Sequence, residues 1–273
     1  MEPIGFTGAS GFIGNHVARY FTCKGRKIIA FGRDSSKNFN NQNVEWKVID
    51  LNYCKPQDFE GIDKLIHFAG SYLAEDAFGK NIDMLNKVLK SVSENRSIQI
   101  YLISTYAVFG NRETPASPEE THAPLENYAL SKSLAEGEFN KFLASTNMKG
   151  TIIRPCSLYG EYGKNFVDVI ADVIKREGKI EMVKFRNQFL HVLDFCKALD
   201  EVTSIENPSK SYNIEGEIIT EEILKEIFDQ LSVDYTLHDK KVRSYWCTGF
   251  AVDRDFSVKE YLTNAKLKSP LSN

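Results

Sequence analysis

The feature that most constrains this chain is a set of three glycines, Gly8-x-x-Gly11-x-x-Gly14, between a short apolar run (Pro3, Ile4, Gly5, Phe6) and an amphipathic stretch from Asn15 to Lys24. That order reads as strand, glycine loop, helix. Glycines let the backbone turn sharply, approach a pyrophosphate with no Cβ in the way, and aim unpaired helix N-terminal amides at its charge. The segment Thr7 to Gly14 therefore reads as a dinucleotide cradle, with Gly8, Ser10, Gly11, Phe12, Ile13 and Gly14 as cofactor-binding residues. An ordinary strand-to-helix turn is the plainer alternative. The loop's position, closing the first strand and opening the first helix, favours the cradle.

Downstream, strand-like apolar runs alternate with segments of helical period: Lys27 to Phe31, Val44 to Ile49, Lys64 to Phe68, Gln99 to Ser104 and Gly150 to Arg154. Such alternation requires crossovers and a parallel sheet covered on both faces. The intervening helices include Ile82 to Val92, with Met84, Leu85, Val88, Leu89 and Val92 at helical spacing, and Tyr128 to Leu143. The expected fold class is α/β, a Rossmann-type doubly wound parallel sheet with a small mixed α/β C-terminal substrate lobe. Residues 1–158 are assigned to the dinucleotide-binding domain and 159–273 to the smaller lobe, from which segments may return to the first domain. A Lys- and Ser-bearing tail from Asn264 is expected to be mobile.

Composition narrows the function classes. With 34 basic and 37 acidic residues and a net charge of −3, the chain carries no footprint for nucleic acid. It shows no basic leader followed by an apolar core and no apolar stretch of membrane-spanning length, so no membrane association and a cytoplasmic location are expected. Five scattered cysteines, with no C-x-x-C and no histidine at ligand spacing, read as reduced thiols and give no metal site.

The end of the second strand bears on cofactor choice. A carboxylate there accepts hydrogen bonds from an adenosine ribose and repels a 2′-phosphate. Here Gly32 occupies the acidic position and Arg33 follows it, with Ser35, Ser36 and Lys37 as further donors. A guanidinium pairs bidentately with phosphate and stacks on adenine. The expected cofactor is thus NADP, with NAD the alternative should Asp34 reach the ribose from a longer strand. Asp50, followed by Leu51 at the end of the third strand, is placed to accept from the adenine amino group.

The candidate chemistry lies in Tyr128-Ala129-Leu130-Ser131-Lys132. Four residues apart on a helix, phenol and ammonium share a face, and the cation favours the phenolate. A phenol's ordinary pKa of about 10 then moves toward neutrality, as an acid/base group requires. A second Y-x-x-x-K, Tyr20 to Lys24, reads as a solvated accident. Tyr128 is singled out by following the strand that ends in Ser104-Thr105-Tyr106, whose hydroxyls fall at the carboxyl edge where open α/β sheets bind ligands.

Taken together, Gly8 to Gly14, Asp50-Leu51, Leu65 to Gly70, Asn81, Ser104-Thr105 and Tyr128/Lys132 resemble an extended short-chain dehydrogenase/reductase of the NAD-dependent epimerase/dehydratase family. The resemblance spans about residues 3 to 215 and is most specific up to Arg154. It implies an acid/base role for Tyr128, a ribose-holding role for Lys132, and a hydrogen bond from Thr105, with neighbouring Ser104, to the reacting oxygen. Ala69 and Gly70 would line the cofactor's path. Pro155, in the run Arg154 to Gly160, would belong to the segment closing over nicotinamide. Relatives dimerise through the helices around residues 82–92 and 128–143, which implies a homodimer, although the periodicity itself shows only apolar faces.

The second half is similar to the family's nucleotide-sugar lobe. Asn165-Phe166 resembles the segment contacting the nucleotide diphosphate, and Phe189 to Asp194 a strand-to-helix corner, with His191 expected as a corner residue and Asp194 as an N-cap. The family's diphosphate arginine lies two positions before the corner aromatic, where this chain has Asn187, with Arg186 beside it; a one-residue shift would restore the contact. Dehydratases of the family follow the catalytic threonine with Asp-Glu, whereas this chain has Tyr106-Ala107, which argues against dehydration and places Tyr106 at the substrate. The expected activity is reduction of a nucleotide-linked 4-keto sugar with Tyr128 as general acid. The alternatives are a nucleotide-sugar 4-epimerase holding NAD tightly and a non-catalytic dinucleotide-binding redox sensor.

Overall fold

The computed structural model describes residues 2–35, 41–70, 77–95, 97–176 and 178–267. Its backbone divides into two compact units, one of residues 1–108, 124–154 and 199–212 and the other of residues 109–123, 155–198 and 213–273.

The first unit begins with strand β1 (Ile4–Thr7), helix α1 (Phe12–Cys23), β2 (Ile28–Gly32), β3 (Val44–Val48) and β4 (Lys64–His67). It continues with α2 (Ala77–Val92), β5 (Gln99–Ile103), α3 (Asn127–Thr146) and β6 (Gly150–Pro155). With β9 (Ser211–Ile214) these strands form one seven-stranded sheet in the order β3-β2-β1-β4-β5-β6-β9. The pairings among β1 to β6 are parallel. The expected doubly wound sheet is therefore present, and its order reverses between β1 and β4, where such sheets open a crevice at their carboxyl ends.

Alternation along the strands divides the two faces. Phe6 of β1 packs edge-on against Phe21 of α1, with ring centroids 5.5 Å apart. Gly5 faces the opposite side, where a Cβ would lie 3.1 Å from Leu65 and Phe31. That side holds the main core, in which Leu85, Val88, Leu89 and Val92 of α2 and Phe139 of α3 pack against Leu65, Ile100 and Leu102. The apolar stripe read on the second helix is thus its buried face, and burying each such side chain contributes about 1.5–3 kcal/mol.

The second unit contains β7 (Ser157–Tyr159), α4 (Phe166–Lys175), β8 (Ile180–His191), β10 (Glu217–Thr220), α6 (Glu221–Leu231), β11 (Tyr235–Tyr245) and α7 (Val258–Leu267), with α5 (Val192–Ser204) running from this unit into the first. β8 pairs antiparallel with β10 and parallel with β11 and β7. Its core joins Val167, Ile170 and Ile174 of α4 to Phe185, Phe189, Phe228 and Leu262. The expectation of a mobile tail from Asn264 is corrected for residues 264–267, the remainder of that tail lying outside the described residues. Residues 264–267 complete α7, and Ala265 is buried in this core because the apolar positions Val258, Leu262 and Ala265 keep helical spacing.

Two glycines at the α3–β6 junction separate a packing need from a tolerated accident. A Cβ on Gly150 would stand 2.6 Å from the Phe139 ring and 2.8 Å from Leu143, so Gly150→Ala is expected to cost about 1–3 kcal/mol by overpacking. Gly137, inside α3, has open space where its Cβ would be, and Gly137→Ala is expected to stabilise by about 0.5–1 kcal/mol. Urea unfolding of the two variants should move the midpoint in opposite directions.

Candidate active site

The glycine loop is held by contacts that only glycine permits. Gly8 has φ +70° and a Cβ there would lie 2.8 Å from the Ala69 amide nitrogen, so both its conformation and its closeness to the end of β4 require the missing side chain. A Cβ on Gly14 would overlap the Gly8 carbonyl oxygen. The N-cap of α1 is Gly11, which offers no side-chain acceptor, and the first turn carries no acid. The first-turn amides and the positive end of the helix dipole are thus left for an anionic group. This cradle fits a dinucleotide pyrophosphate.

β2 ends at Gly32, two residues before Asp34. A Cβ on Gly32 would overlap the Trp46 indole of β3, so the position expected to be acidic is filled by a neighbouring ring and admits no side chain. Arg33 follows, exposed, and its charge reaches Asp50 beyond β3. Asp50 Oδ1 accepts from the backbone and side-chain nitrogens of Asn52, each at 2.9 Å. The carboxyl is held below its ordinary pKa chiefly by the backbone bond, with help from Arg33 and Lys87. Leu51 beside it is buried. Ser36 and Lys37 lie outside the described residues.

Beneath the cradle, Thr7 Oγ1 lies 2.9 Å from His67 Nδ1 and accepts from the Ala69 amide at 3.3 Å. The Thr7 hydroxyl thus bridges the Ala69 amide and the imidazole, joining the ends of β1 and β4. His67 is buried, and its pKa is pushed down to about 3 first by desolvation and then by the Lys132 charge. It is a neutral brace tying the first and fourth strands together directly below Gly8 and Ala69.

The carboxyl ends of β4 and β5 and the first turns of α3 gather the remaining candidates. Lys132 Nζ donates to the Ile103 carbonyl at 3.0 Å, and a Cβ on Gly70 would lie 3.8 Å from that ammonium and 3.9 Å from the Asn81 amide. Desolvation lowers the Lys132 pKa to about 8, against an opposing pull from Glu136. Tyr128 is 39% exposed in the first turn of α3, one turn before Lys132 on the same face. Thr105 is buried, and its Oγ1 accepts from the Ala107 amide at 3.3 Å. Ser104 is buried with its Oγ unpartnered among the described residues, leaving hydrogen-bonding capacity at the strand end for a bound group to satisfy. Tyr106 is buried next to them and Pro155 ends β6.

The second unit holds the other expected site residues. Asn165 caps α4, its Oδ1 accepting from Val167 and Asp168, while its Nδ2 is buried and unpartnered among the described residues. The pairing of β8 runs without slippage through Arg186, Asn187, Gln188 and Phe189, which puts Arg186 on the face opposite Asn187. Arg186 stacks over Trp246 at 5.2 Å, and Asn187 Oδ1 accepts from the Tyr245 amide. His191 stacks on Phe256 with centroids 4.0 Å apart, a corner residue as expected. Asp194 is not the N-cap. It lies within the first turn of α5 and its carboxylate accepts from the Asp255 and Phe256 amides, anchoring a distant loop.

The second Y-x-x-x-K is at the far end of α1 from the glycine loop, with Lys24 over the face of the Tyr20 ring at 5.6 Å rather than beside a strand end. Two features of the site escaped sequence reasoning: the Thr7–His67 brace and a buried ion pair between Glu136 and Arg154. Both are between elements distant in sequence, and only the position of Glu136, one turn beyond Lys132, hinted at either.

Because the folded pKa of His67 is far below the unfolded value of about 6.5, the unfolded chain binds a proton between these limits that the folded chain does not. Stability therefore falls as pH drops from 6.5 toward 3, by up to about 1.4 kcal/mol per pH unit from this group. In thermal unfolding across that range, His67→Gln should show a shallower acid limb than the unmodified protein.

The comparisons accord with this arrangement. The model of the NAD dependent epimerase/dehydratase family matches residues 4–216. A UDP-glucose 4-epimerase from Vibrio cholerae is 26% identical over 191 residues, covering 64% of this chain and 57% of the relative. A dTDP-4-dehydrorhamnose reductase from Aggregatibacter actinomycetemcomitans is 24% identical, covering 67% and 60%. The chain thus spans about three fifths of the length of these curated relatives. Among solved structures, MoeE5 in complex with UDP-glucuronic acid and NAD superposes with a TM-score of 0.83 at 18% identity, covering 99% of this chain and 100% of that one, a likeness of fold. No helix among the described residues is long and apolar enough to cross a membrane. With its fold, its glycine cradle and more than three quarters of its length matching one family model, the chain belongs to the NAD-dependent epimerase/dehydratase family.

Proposed function

We propose that this protein reduces a nucleotide-linked 4-keto sugar, drawing on NADP(H) and using Tyr128 as the general acid. The observation that carries the reading is the arrangement at the carboxyl end of β5. Ser104 and Thr105 directly follow that strand, Lys132 is bonded to its last carbonyl, and Tyr128 stands one helical turn away on the same face of α3.

In this reading the glycine loop and the first-turn amides of α1 hold the pyrophosphate, and Asp50 and Leu51 bound the adenine. Arg33 takes the 2′-phosphate; the Trp46 ring packed over Gly32 supports this preference, since the last position of β2 carries no carboxylate to repel it. Ala69 and Gly70 line the path to Lys132, whose ammonium holds the ribose and stabilises the Tyr128 phenolate. The nicotinamide, when bound, supplies the hydride. Tyr128 delivers the matching proton to the sugar oxygen, and Thr105 orients that oxygen by hydrogen bonding. Positioning is the protein's contribution, and the cofactor carries the difficult step.

Asn165, through its unpartnered Nδ2, is a proposed contact to the nucleotide-sugar, and Arg186 would meet it only from the face of β8 opposite Asn187. Elimination of water is disfavoured, because Tyr106 and Ala107 put no carboxylate beside Thr105. Leu130 and Leu134, exposed one turn apart on α3, support a homodimer through that helix. A 4-epimerase retaining NAD would use the same residues, and the Vibrio cholerae relative favours it as the second reading.

The test is turnover of NADPH with a panel of nucleotide-linked 4-keto sugars by the purified protein. Consumption of NADPH supports the reductase; NAD retained through purification together with interconversion of 4-epimers supports the second reading; binding without turnover of any sugar removes the catalytic assignment. Tyr128→Phe should lose at least about a hundredfold in turnover while Tyr20→Phe changes little. Arg33→Ala should weaken NADPH far more than NADH by calorimetry, and equal weakening would remove Arg33 from the 2′-phosphate.

A further inference from the structure

Helix α3 carries a third ionisable group in register with the first two. Tyr128, Lys132 and Glu136 follow at intervals of four, one above another on a single face. Glu136 is 1% exposed and is clamped by Arg154 of β6: Arg154 Nη2 donates to its Oε2 at 2.6 Å, and Nε lies 2.9 and 3.1 Å from the two carboxylate oxygens. An isolated pair this deep is weak evidence for stability, since desolvating two ions offsets most of their attraction. Its position one turn from a desolvated ammonium gives it a second role.

We propose that Glu136, fixed in place by Arg154, is a positioning residue for Lys132: its carboxylate supplies the buried counter-charge that keeps the ammonium protonated and seated on the Ile103 carbonyl. Among the described residues packed around Lys132, Glu136 is the charged group acting on its ammonium. β5 presents only the Ile103 carbonyl, the strand end after β4 presents the Gly70 backbone, and α2 presents the neutral Asn81 amide. His67 of β4 is held uncharged. On α3 itself Tyr128 is the group to be tuned. Burial alone drives Lys132 toward the neutral amine, which could neither hold a ribose by charge nor favour a phenolate, and Glu136 is the group pulling it back. Arg154 orients the carboxylate through a bidentate contact that a lysine could not reproduce.

The functional meaning rests on the role proposed above for Lys132, but the physical claim concerns the chain without cofactor or sugar. Its test is an NMR titration of the full chain labelled with [13Cε]lysine, in which the Lys132 signal is identified by its disappearance in Lys132→Arg. Lys132 should titrate near 8, apart from the exposed lysines. In Glu136→Gln its midpoint should fall by roughly one unit. In Arg154→Lys, which retains both charges, it should fall by less. Should Glu136→Gln fail to fold, Glu136→Leu/Arg154→Met removes both charges with similar volume, and its Lys132 midpoint should still fall below that of the unmodified chain, since the carboxylate is the partner acting on the ammonium. An unmoved Lys132 midpoint in whichever of these two charge-removing variants folds, accompanied only by a lower melting temperature, would overturn the proposal and reduce the pair to a core staple. Absence of turnover with every sugar would leave this result untouched, so the two readings fail separately.

Discussion

The close approach of the first and fourth strands at their carboxyl ends is the constraint on which the rest of the site depends. Gly8 turns back at positive φ with its Cα against the Ala69 backbone, and the space is so tight that one methyl group would not fit. This contact sets the direction in which α1 leaves the sheet and hence where its free amides point. It also fixes Ala69 and Gly70 alongside the loop, with the Lys132 ammonium next in line. A buried neutral imidazole bonded to Thr7 holds the two strands from beneath. The cradle and helix α3 are thus linked through a few contacts at the point where the strand order reverses.

Desolvation then governs the chemistry. The same packing that brings Lys132 to the end of β5 strips water from it, and its pKa falls toward the physiological range. His67 nearby falls further, because burial strips water from its ring and the Lys132 charge disfavours a second cation. Two cationic side chains within reach of each other could not both be charged in such surroundings. The structure leaves the imidazole neutral and carries a clamped carboxylate, Glu136, one helical turn beyond the lysine.

Much of this was legible in the sequence wherever the signal is local. The parallel strands fall within a residue or two of the apolar runs, since burial on both faces demands unbroken apolar stretches, and the glycine spacing located the cradle because φ and closest approach are properties of single residues. Tyr128 was separable from Tyr20 by its place after a strand end. What remained hidden depends on tertiary partners. That Trp46 occupies the space above Gly32 needs the register of β2 against β3, and the link between Glu136 and Arg154 needs a helix laid across a neighbouring strand. Residues 264–267 were misread for a related reason: the polar composition around them conceals three apolar positions, Val258, Leu262 and Ala265, at helical spacing, enough to seat a helix in the second core.

The second unit shows why the substrate is harder to read than the cofactor. A one-residue displacement of an arginine along a strand is a small change in a string but reverses the face on which the side chain emerges. Were there a bulge between Arg186 and Phe189, the guanidinium would be returned to the side of the aromatic ring; the uninterrupted pairing with β10 excludes that, and Arg186 instead lies across Trp246 on the same face as Gln188. Asn187, in the position the family gives to arginine, is engaged with the Tyr245 amide. An anion recognised by this lobe would therefore meet an uncharged amide on one face of β8 and a stacked guanidinium on the other. Which of these two groups a ligand meets is set by the face of β8 it approaches, a geometric property of the strand rather than of its composition.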